Sequence, residues 1–207
     1  TSASIGITFS GLGYATPQDM LRDADTAMYK AKTSGKARYA LLDADLHTEV
    51  SHRLRLEGHP RRALRAGQLS VAYQPMFELA SGRVTGFEAL ARWTHAELGA
   101  ISPATFITIA EEAGMVTRIT EFVLRSACRQ LKEWQLSDAS FANLNMHVNV
   151  SGNDVAHPSF VARVTAALVE ARLEPQHLTL ELTENILMER LEAALPSLTE
   201  LRRLGIG

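Results

Sequence analysis

The sequence predicts an α/β protein in which helices cover a mostly parallel sheet, preceded by a smaller α/β segment. From Gln68 onward, apolar strand-like runs alternate with amphipathic helical runs, which is typical of α/β sheets. Residues 1 to 44 hold a separate strand, helix and strand. Residues 45–59 lie between these parts, and their shift toward Arg and His suits a linker helix. The chain should therefore contain parts of two domains.

The first segment predicts a strand at about residues 3 to 9, a helix, and a second strand in "ARYALLD". Thr16 is a helix cap, Pro17 suits the first turn, and Gly35 is a plausible end. Because so few residues form a marginal core alone, we expect them to be the C-terminal part of a larger domain.

The second segment, residues 60–207, predicts four strands with helices among them. The strands are expected at about 70 to 78, 84 to 93, 143 to 151 and 178 to 184, and the helices at about 103 to 113, 116 to 135, 158 to 172 and 186 to 204. The apolar face of the second helix consists of Val116, Ile119, Val123, Ala127, Leu131 and Trp134. Helix-covered strands form either an open sheet or a closed barrel, and four strands are half of a barrel of about 250 residues. A fifth strand is expected to start in "LRRLGIG".

Charge and composition exclude several classes of protein. The 21 Lys and Arg residues against 23 Asp and Glu residues argue against a broad nucleic-acid surface. The single cysteine, Cys128, excludes an internal disulfide, and no apolar run reaches the roughly 20 residues of a membrane span. We expect this region to be cytoplasmic, although a membrane anchor could precede Thr1 in a longer protein.

Polar side chains alternate with apolar ones along three consecutive predicted strands. Because alternate residues of a strand share a face, each strand places its polar set on one side of the sheet. The sets are Glu88 and Arg92; His147, Asn149 and Ser151; and Thr179, Glu181 and Thr183. They lie toward the C-terminal ends of strands, where α/β proteins build their sites. Two carboxylates and an amide oxygen there would suit a hard cation such as Mg²⁺ or Mn²⁺.

Each candidate also has a structural interpretation. Glu88 and Arg92 could form an ion pair, and His147 could be a hydrogen-bonded packing residue rather than a ligand. Glu184 could simply be an acid in the first turn of the last helix. The periodicity alone leaves these alternatives open.

Four motifs follow one another from Ala72 onward: "AYQPMFELASGRVTGFEALARW", "ISPATFITIAEEAGMV", "HVNVSG" and "LTLELTEN". In this order they resemble the EAL domain family of bacterial cyclic di-GMP phosphodiesterases, over about residues 60–207. The first segment is similar to the C-terminal end of a GGDEF, or diguanylate cyclase, domain through "SIGIT" and "DADTAMYKAKTSGKARY". The resemblance implies the first half of a TIM-like (β/α) barrel of EAL type, preceded by the C-terminal part of a GGDEF domain.

The resemblance also implies roles for particular residues. Glu88, Asn149 and Glu181 match metal ligands of the family. Arg92 matches an arginine that holds a substrate phosphate, and Gln74 matches a residue that lines the substrate site. Glu184, grouped with Glu88 in the catalytic set, matches an acid that steadies a loop beside the metals and the dimer interface.

The implied function is hydrolysis of cyclic di-GMP to linear pGpG with Mg²⁺ or Mn²⁺, by a homodimer formed through the EAL domain. Two alternatives are a non-catalytic cyclic di-GMP receptor and a bifunctional protein whose upstream GGDEF domain synthesises the dinucleotide. The motifs "EALAR", "NVSG" and "ELTE" favour the enzyme, because a receptor has no need to keep metal ligands. The family's paired aspartates would follow Gly207, so we expect residues 1 to 207 alone to be inactive.

Overall fold

The computed structural model describes residues 2–33, 35–41, 63–64, 66–182 and 184–207. The chain divides into two compact units, Thr1–Glu57 and Gly58–Gly207. The predicted linker helix at 45–59 lies outside the described residues. Within the described part, no helix is both long and apolar enough to span a membrane.

The first unit is a strand, helix and strand arranged as predicted. Strand β1 (Ile5–Ile7) pairs in parallel with β2 (Tyr39–Leu41), and helix α1 (Pro17–Thr33) connects them. Thr16 caps the helix, since its Oγ1 accepts a hydrogen bond from the Asp19 backbone N–H at 3.2 Å. Gly6 allows the helix to lie directly on the strand, because a Cβ at this position would be 2.0 Å from the Ala24 carbonyl oxygen.

The described residues of the second unit form one five-stranded sheet. Its strands are β3 (Leu69–Phe77), β4 (Val84–His95), β5 (Gly99–Ile101), β6 (Asn145–Asn149) and β7 (Leu178–Glu181). The order across the sheet is β3-β4-β6-β7, and β5 pairs with the C-terminal end of β4, on the edge opposite β3. Strands β4, β6 and β7 are parallel, as expected for an α/β fold.

The expectation of a mostly parallel sheet is wrong at its first edge. Strand β3 pairs antiparallel with β4, and β5 also runs antiparallel to β4. Only residues 78–83 connect β3 to β4, and a parallel pair needs a crossover of a dozen or more residues. A hairpin is therefore the only pairing that this short connection permits.

In the described part of the second unit, five α-helices follow β5 and alternate with β6 and β7. They are α2 (Pro103–Glu112), α3 (Val116–Ser137), α4 (Gly152–Val155), α5 (Phe160–Ala171) and α6 (Glu184–Arg203). Four of them match predicted helices to within about two residues, and the short α4 was not expected. Ser102 caps α2 by accepting a hydrogen bond from the Thr105 backbone N–H at 3.2 Å.

The core lies between these helices and one face of the sheet. Ala89, Met146, Val148 and Leu178 on the strands are all at most 2% exposed. The aromatic side chains of Tyr73 and Phe87 pack on Trp134 of α3, with ring centroids 5.2 and 4.6 Å apart.

A close backbone approach joins β4 to β6, and a pair of hydrogen bonds extends the sheet beyond β7. Gly86 faces Asn145 of β6, and a Cβ at Gly86 would be 2.4 Å from the Asn145 carbonyl oxygen. At the other side, the Gly207 N–H donates to the Leu178 carbonyl at 3.0 Å, and the Leu180 N–H donates to the Gly207 carbonyl at 2.9 Å. The predicted start of a fifth strand thus pairs with β7.

Candidate functional site

The strand register gathers the predicted site residues on the face opposite the core. Gln74 of β3 pairs with Glu88 of β4, which pairs in turn with His147 of β6. Two residues further along β6, Asn149 pairs with Glu181 of β7. Because register partners share a face, all five side chains emerge on the same side of the sheet.

Glu88 and Asn149 are in direct contact. The Asn149 amide Nδ2 donates to Glu88 Oε1 at 2.6 Å, joining residues 61 positions apart. The bond uses one oxygen of the carboxylate, and it leaves the Asn149 amide oxygen and the second carboxylate oxygen as possible ligands. Two of the three predicted metal ligands are therefore brought together.

Glu181 is bonded to the neighbouring strand through a histidine. Nδ1 of His147 lies 2.8 Å from Glu181 Oε1. The His147 side chain is 20% exposed and that of Glu181 is 38% exposed. The structural interpretation of His147 as a hydrogen-bonded residue thus agrees with its surroundings.

Arg92 lies on the same face of β4 as Glu88, two residues beyond Leu90. Its Nη1 donates to the Ala91 carbonyl at 2.9 Å. The described hydrogen bonds of Arg92 and Glu88 go to Ala91 and Asn149, and no ion pair joins these two described side chains. The alternative of a structural Glu88–Arg92 pair therefore has no support in this geometry.

The remaining two predicted site residues are Gln74 and Glu184. Gln74 is exposed on the edge strand β3, opposite Glu88. Glu184 begins α6, three residues after Glu181, and its side chain lies outside the described part of the structure.

A buried polar cluster that sequence reasoning missed lies directly after β6. Oδ2 of Asp154 accepts hydrogen bonds from the Ser151 hydroxyl at 2.6 Å, from the Ser151 backbone N–H at 3.2 Å and from the Thr120 hydroxyl at 2.8 Å. Ser151 Oγ in turn accepts from the Asp154 backbone N–H, which completes a capping box for α4. The spacing of Ser and Asp in "SGND" is the sequence signal for it.

This cluster connects three helices to the end of β6. Asp154 is fully buried on α4, Thr120 belongs to α3, and Arg163 of α5 places Nη2 3.9 Å from Asp154 Oδ1. The Arg163 guanidinium also lies over the Phe160 ring, 5.8 Å from its centroid. The turn that follows Asn149 is therefore tied to the surrounding helices through a buried carboxylate.

The side-chain oxygens on the polar face are ligands that suit a hard divalent cation. Glu88, Asn149 and Glu181 offer carboxylate and amide oxygens, the ligands that Mg²⁺ and Mn²⁺ prefer. Among the described residues there is no group of three or more His, Cys, Asp or Glu side chains placed to share one ion. Any cation held by these three residues would thus rely on the Asn149 amide and on further ligands.

Comparisons with known proteins agree with the sequence motifs. A model of the EAL domain matches residues 59–207. Over 206 residues, the whole chain is 38% identical to MucR of Pseudomonas aeruginosa, which is named a bifunctional diguanylate cyclase/cyclic di-GMP phosphodiesterase. PdeR of Escherichia coli, named a cyclic di-GMP phosphodiesterase, is 34% identical over 205 residues, or 99% of the chain. The chain spans 30% of the length of each of these two relatives.

A solved structure shows the same fold. The phosphodiesterase of PaMucR in complex with c-di-GMP superposes with a TM-score of 0.69 and is 40% identical in sequence, over 74% of this chain and 61% of that chain. Since the family model covers well over half of the chain, and the helix-covered sheet agrees with it, the chain belongs to the EAL domain family.

Proposed function

We propose that the protein containing this chain is a cyclic di-GMP phosphodiesterase that hydrolyses its substrate to linear pGpG with Mg²⁺ or Mn²⁺. The observation that carries this proposal is the contact of Glu88 with Asn149 on the polar face of the sheet. A hydrogen bond of 2.6 Å between two strands brings together oxygen-bearing groups that the EAL motifs assign to metal binding. The relatives MucR and PdeR are both named as cyclic di-GMP phosphodiesterases, which supports the same activity.

The proposed cation ligands are Glu88, Asn149 and Glu181. When bound, a divalent cation supplies Lewis-acid polarisation of the phosphodiester and lowers the pKa of a water molecule. Glu88 and Glu181 contribute negative charge that offsets the cation, and Asn149 adds a neutral oxygen. The bond between Asn149 and Glu88 limits the rotation of both side chains, so less conformational entropy is lost when they bind an ion.

Arg92 and Gln74 are proposed to hold the substrate. One guanidinium nitrogen of Arg92 is bonded to its own strand at Ala91, which fixes the direction of the side chain. The remaining donors match the two oxygens of a phosphate in a bidentate contact. Gln74 lies beside Glu88 on the exposed edge strand, where its amide can donate to or accept from a nucleotide.

Glu184 is proposed to complete the catalytic set by steadying a loop beside the metals and the dimer interface. Its position at the start of α6, three residues after Glu181, supports this role. From the family resemblance we also propose a homodimer through the EAL domain and a cytoplasmic location. Light scattering of the whole protein, and protease accessibility in intact cells, would test these two features.

We further propose that residues 1–44 are the C-terminal part of a GGDEF domain. The alignment with MucR extends through this segment, and the name of MucR includes a diguanylate cyclase. This similarity favours a bifunctional protein as the second candidate function. Incubating the whole protein with GTP and Mg²⁺ would test it, since an active cyclase forms cyclic di-GMP.

The phosphodiesterase proposal is tested by replacing Glu88 in the whole protein. Glu88→Gln keeps the size of the side chain and an acceptor for Asn149 but removes the negative charge, and Glu88→Ala removes both. We expect both variants to lose turnover of cyclic di-GMP, measured as pGpG by chromatography with Mg²⁺ or Mn²⁺. Product formation by either variant at the wild-type rate would refute the assignment.

Glu78→Gln is the matched control. Glu78 is an exposed carboxylate at the tip of the β3–β4 hairpin, where it pairs with Arg83 and accepts a hydrogen bond from Ser81. Because it lies outside the proposed site, its replacement should leave turnover unchanged.

A further inference from the structure

We propose that His147 is a positioning residue that holds the Glu181 carboxylate in place for the divalent cation, without being a ligand itself. The inference rests on the proposed function, because it assigns a partner to one of the proposed ligands. It starts from the 2.8 Å contact between His147 Nδ1 and Glu181 Oε1. None of the EAL motifs assigned a functional role to this histidine.

The chemistry of the two groups fixes the direction of the hydrogen bond. An ionised carboxylate accepts hydrogen bonds and donates none, so His147 must donate from Nδ1. In the neutral ring this requires the tautomer with its proton on Nδ1, and a protonated ring donates from the same atom. Glu181 Oε1 is therefore engaged in either form of the imidazole.

The strand register explains why His147 can perform this role. It is paired directly with Glu88 on one side and with Thr179 on the other, and it precedes Asn149 by two residues on the same face. His147 is thus attached to a strand that is paired on both sides rather than to a loop, and it lies next to the proposed ligands. Its side chain is more buried than that of Glu181, so it offers a fixed support to a more exposed carboxylate.

The contact leaves one oxygen of Glu181 for the cation. Among the described side chains, only His147 is bonded to this carboxylate, and it uses Oε1. Without this bond, Glu181 would sample several rotamers and would lose more entropy on binding an ion. Groups that orient a metal ligand in this way commonly change metal affinity by about 10- to 100-fold when they are removed.

Mn²⁺ affinity of the whole protein, measured without nucleotide, tests the inference. The free-ion electron paramagnetic resonance signal gives the dissociation constant of Mn²⁺ for wild type, His147→Ala and His147→Gln. We expect His147→Ala to weaken Mn²⁺ binding by about 10- to 100-fold. His147→Gln should recover most of this loss, because its amide can donate to Glu181. In the alanine variant, turnover should be lost at low Mn²⁺ and recover as Mn²⁺ approaches saturation.

His177→Ala is the matched control. His177 is also partly buried beside β6 and β7, but its Nδ1 contacts the Leu144 main-chain carbonyl at 3.2 Å, at the opposite ends of these strands. Its removal tests whether loss of any packed histidine weakens Mn²⁺ binding. We expect its Mn²⁺ affinity to equal that of wild type.

Several results would overturn the inference. Wild-type Mn²⁺ affinity in His147→Ala would exclude a positioning role, and equal weakening in the alanine and glutamine variants would exclude hydrogen-bond donation as its cause. If hydrolysis requires Glu88 but the Mn²⁺ affinity of the His147 variants equals that of wild type, only the inference fails. If Mn²⁺ affinity depends on His147 but cyclic di-GMP is not hydrolysed, only the proposed function fails. A protein that binds no Mn²⁺ would refute both.

Discussion

Replacing Asp154 with alanine should destabilise the second unit by about 3 to 5 kcal/mol. The fully buried carboxylate accepts three hydrogen bonds on Oδ2, from Ser151 and Thr120. At about 1.5 kcal/mol for each bond to a charged group, the three bonds contribute about 4.5 kcal/mol. The loss would also leave the guanidinium of Arg163, which is 3.9 Å away, without its buried counter-charge.

Hydrogen exchange followed by mass spectrometry measures this effect locally, whatever other domains the protein contains. In the whole protein, peptides from α3 and α5 report on the helices that contribute Thr120 and Arg163. A loss of 3 to 5 kcal/mol corresponds to a fall in protection of about two to four orders of magnitude. Protection within about threefold of wild type in both helices would refute the reasoning, since threefold is under about 0.7 kcal/mol.

Asp138→Ala provides the comparison for a capping aspartate outside a buried cluster. Asp138 accepts a hydrogen bond from the Ser140 backbone N–H at 2.8 Å, and this bond lowers the pKa of its carboxyl group. Because Asp138 is exposed, only the short helical turn at Ala139–Phe141 should lose protection. Equal effects of the two substitutions would show that capping alone, rather than burial, determines the cost.

Two other predictions concern single side chains of the second unit. Arg92→Ala should weaken substrate binding by about 1.5 to 3 kcal/mol through the lost phosphate contact, so the Michaelis constant should rise by about 10- to 150-fold. An unchanged Michaelis constant and turnover number would show that Arg92 is structural. Burial raises the pKa of the Cys128 thiol to about 12. The thiol should therefore resist alkylation at about pH 8 in the native protein and react after denaturation. Rapid modification of the native protein, detected by mass spectrometry on the peptide that contains Cys128, would contradict this burial.

Periodicity predicted the helices well because their apolar faces are long. Helix α3 buries five of the six residues predicted for its face, and it begins at Val116 as expected. The same method failed for the direction of β3, because alternation of side chains is identical in parallel and antiparallel strands. The length of the connection at 78–83 contained the missing information.

The candidate site could be predicted only in part. Strand alternation placed Glu88, Asn149 and Glu181 on one face, and the register agrees. It could not give the partners of each side chain, since bonds such as that of His147 to Glu181 depend on strand order and stagger. Asp154 was missed because its role comes from contacts with two distant helices.

The distance in sequence between β4 and β6 has a consequence for synthesis on the ribosome. About 50 residues separate the two strands, so at 5 to 20 residues per second β4 waits roughly 3 to 10 s for its parallel neighbour. During that time β5 pairs only with the C-terminal end of this edge, and the rest of a long strand edge has no partner and invites pairing with another nascent chain. Glu88 and Arg92 place opposite charges on the face of that strand, and burying them in a mismatched sheet would cost free energy. Glu88 and Arg92, both proposed for the functional site, would thereby also protect the growing polypeptide from aggregation.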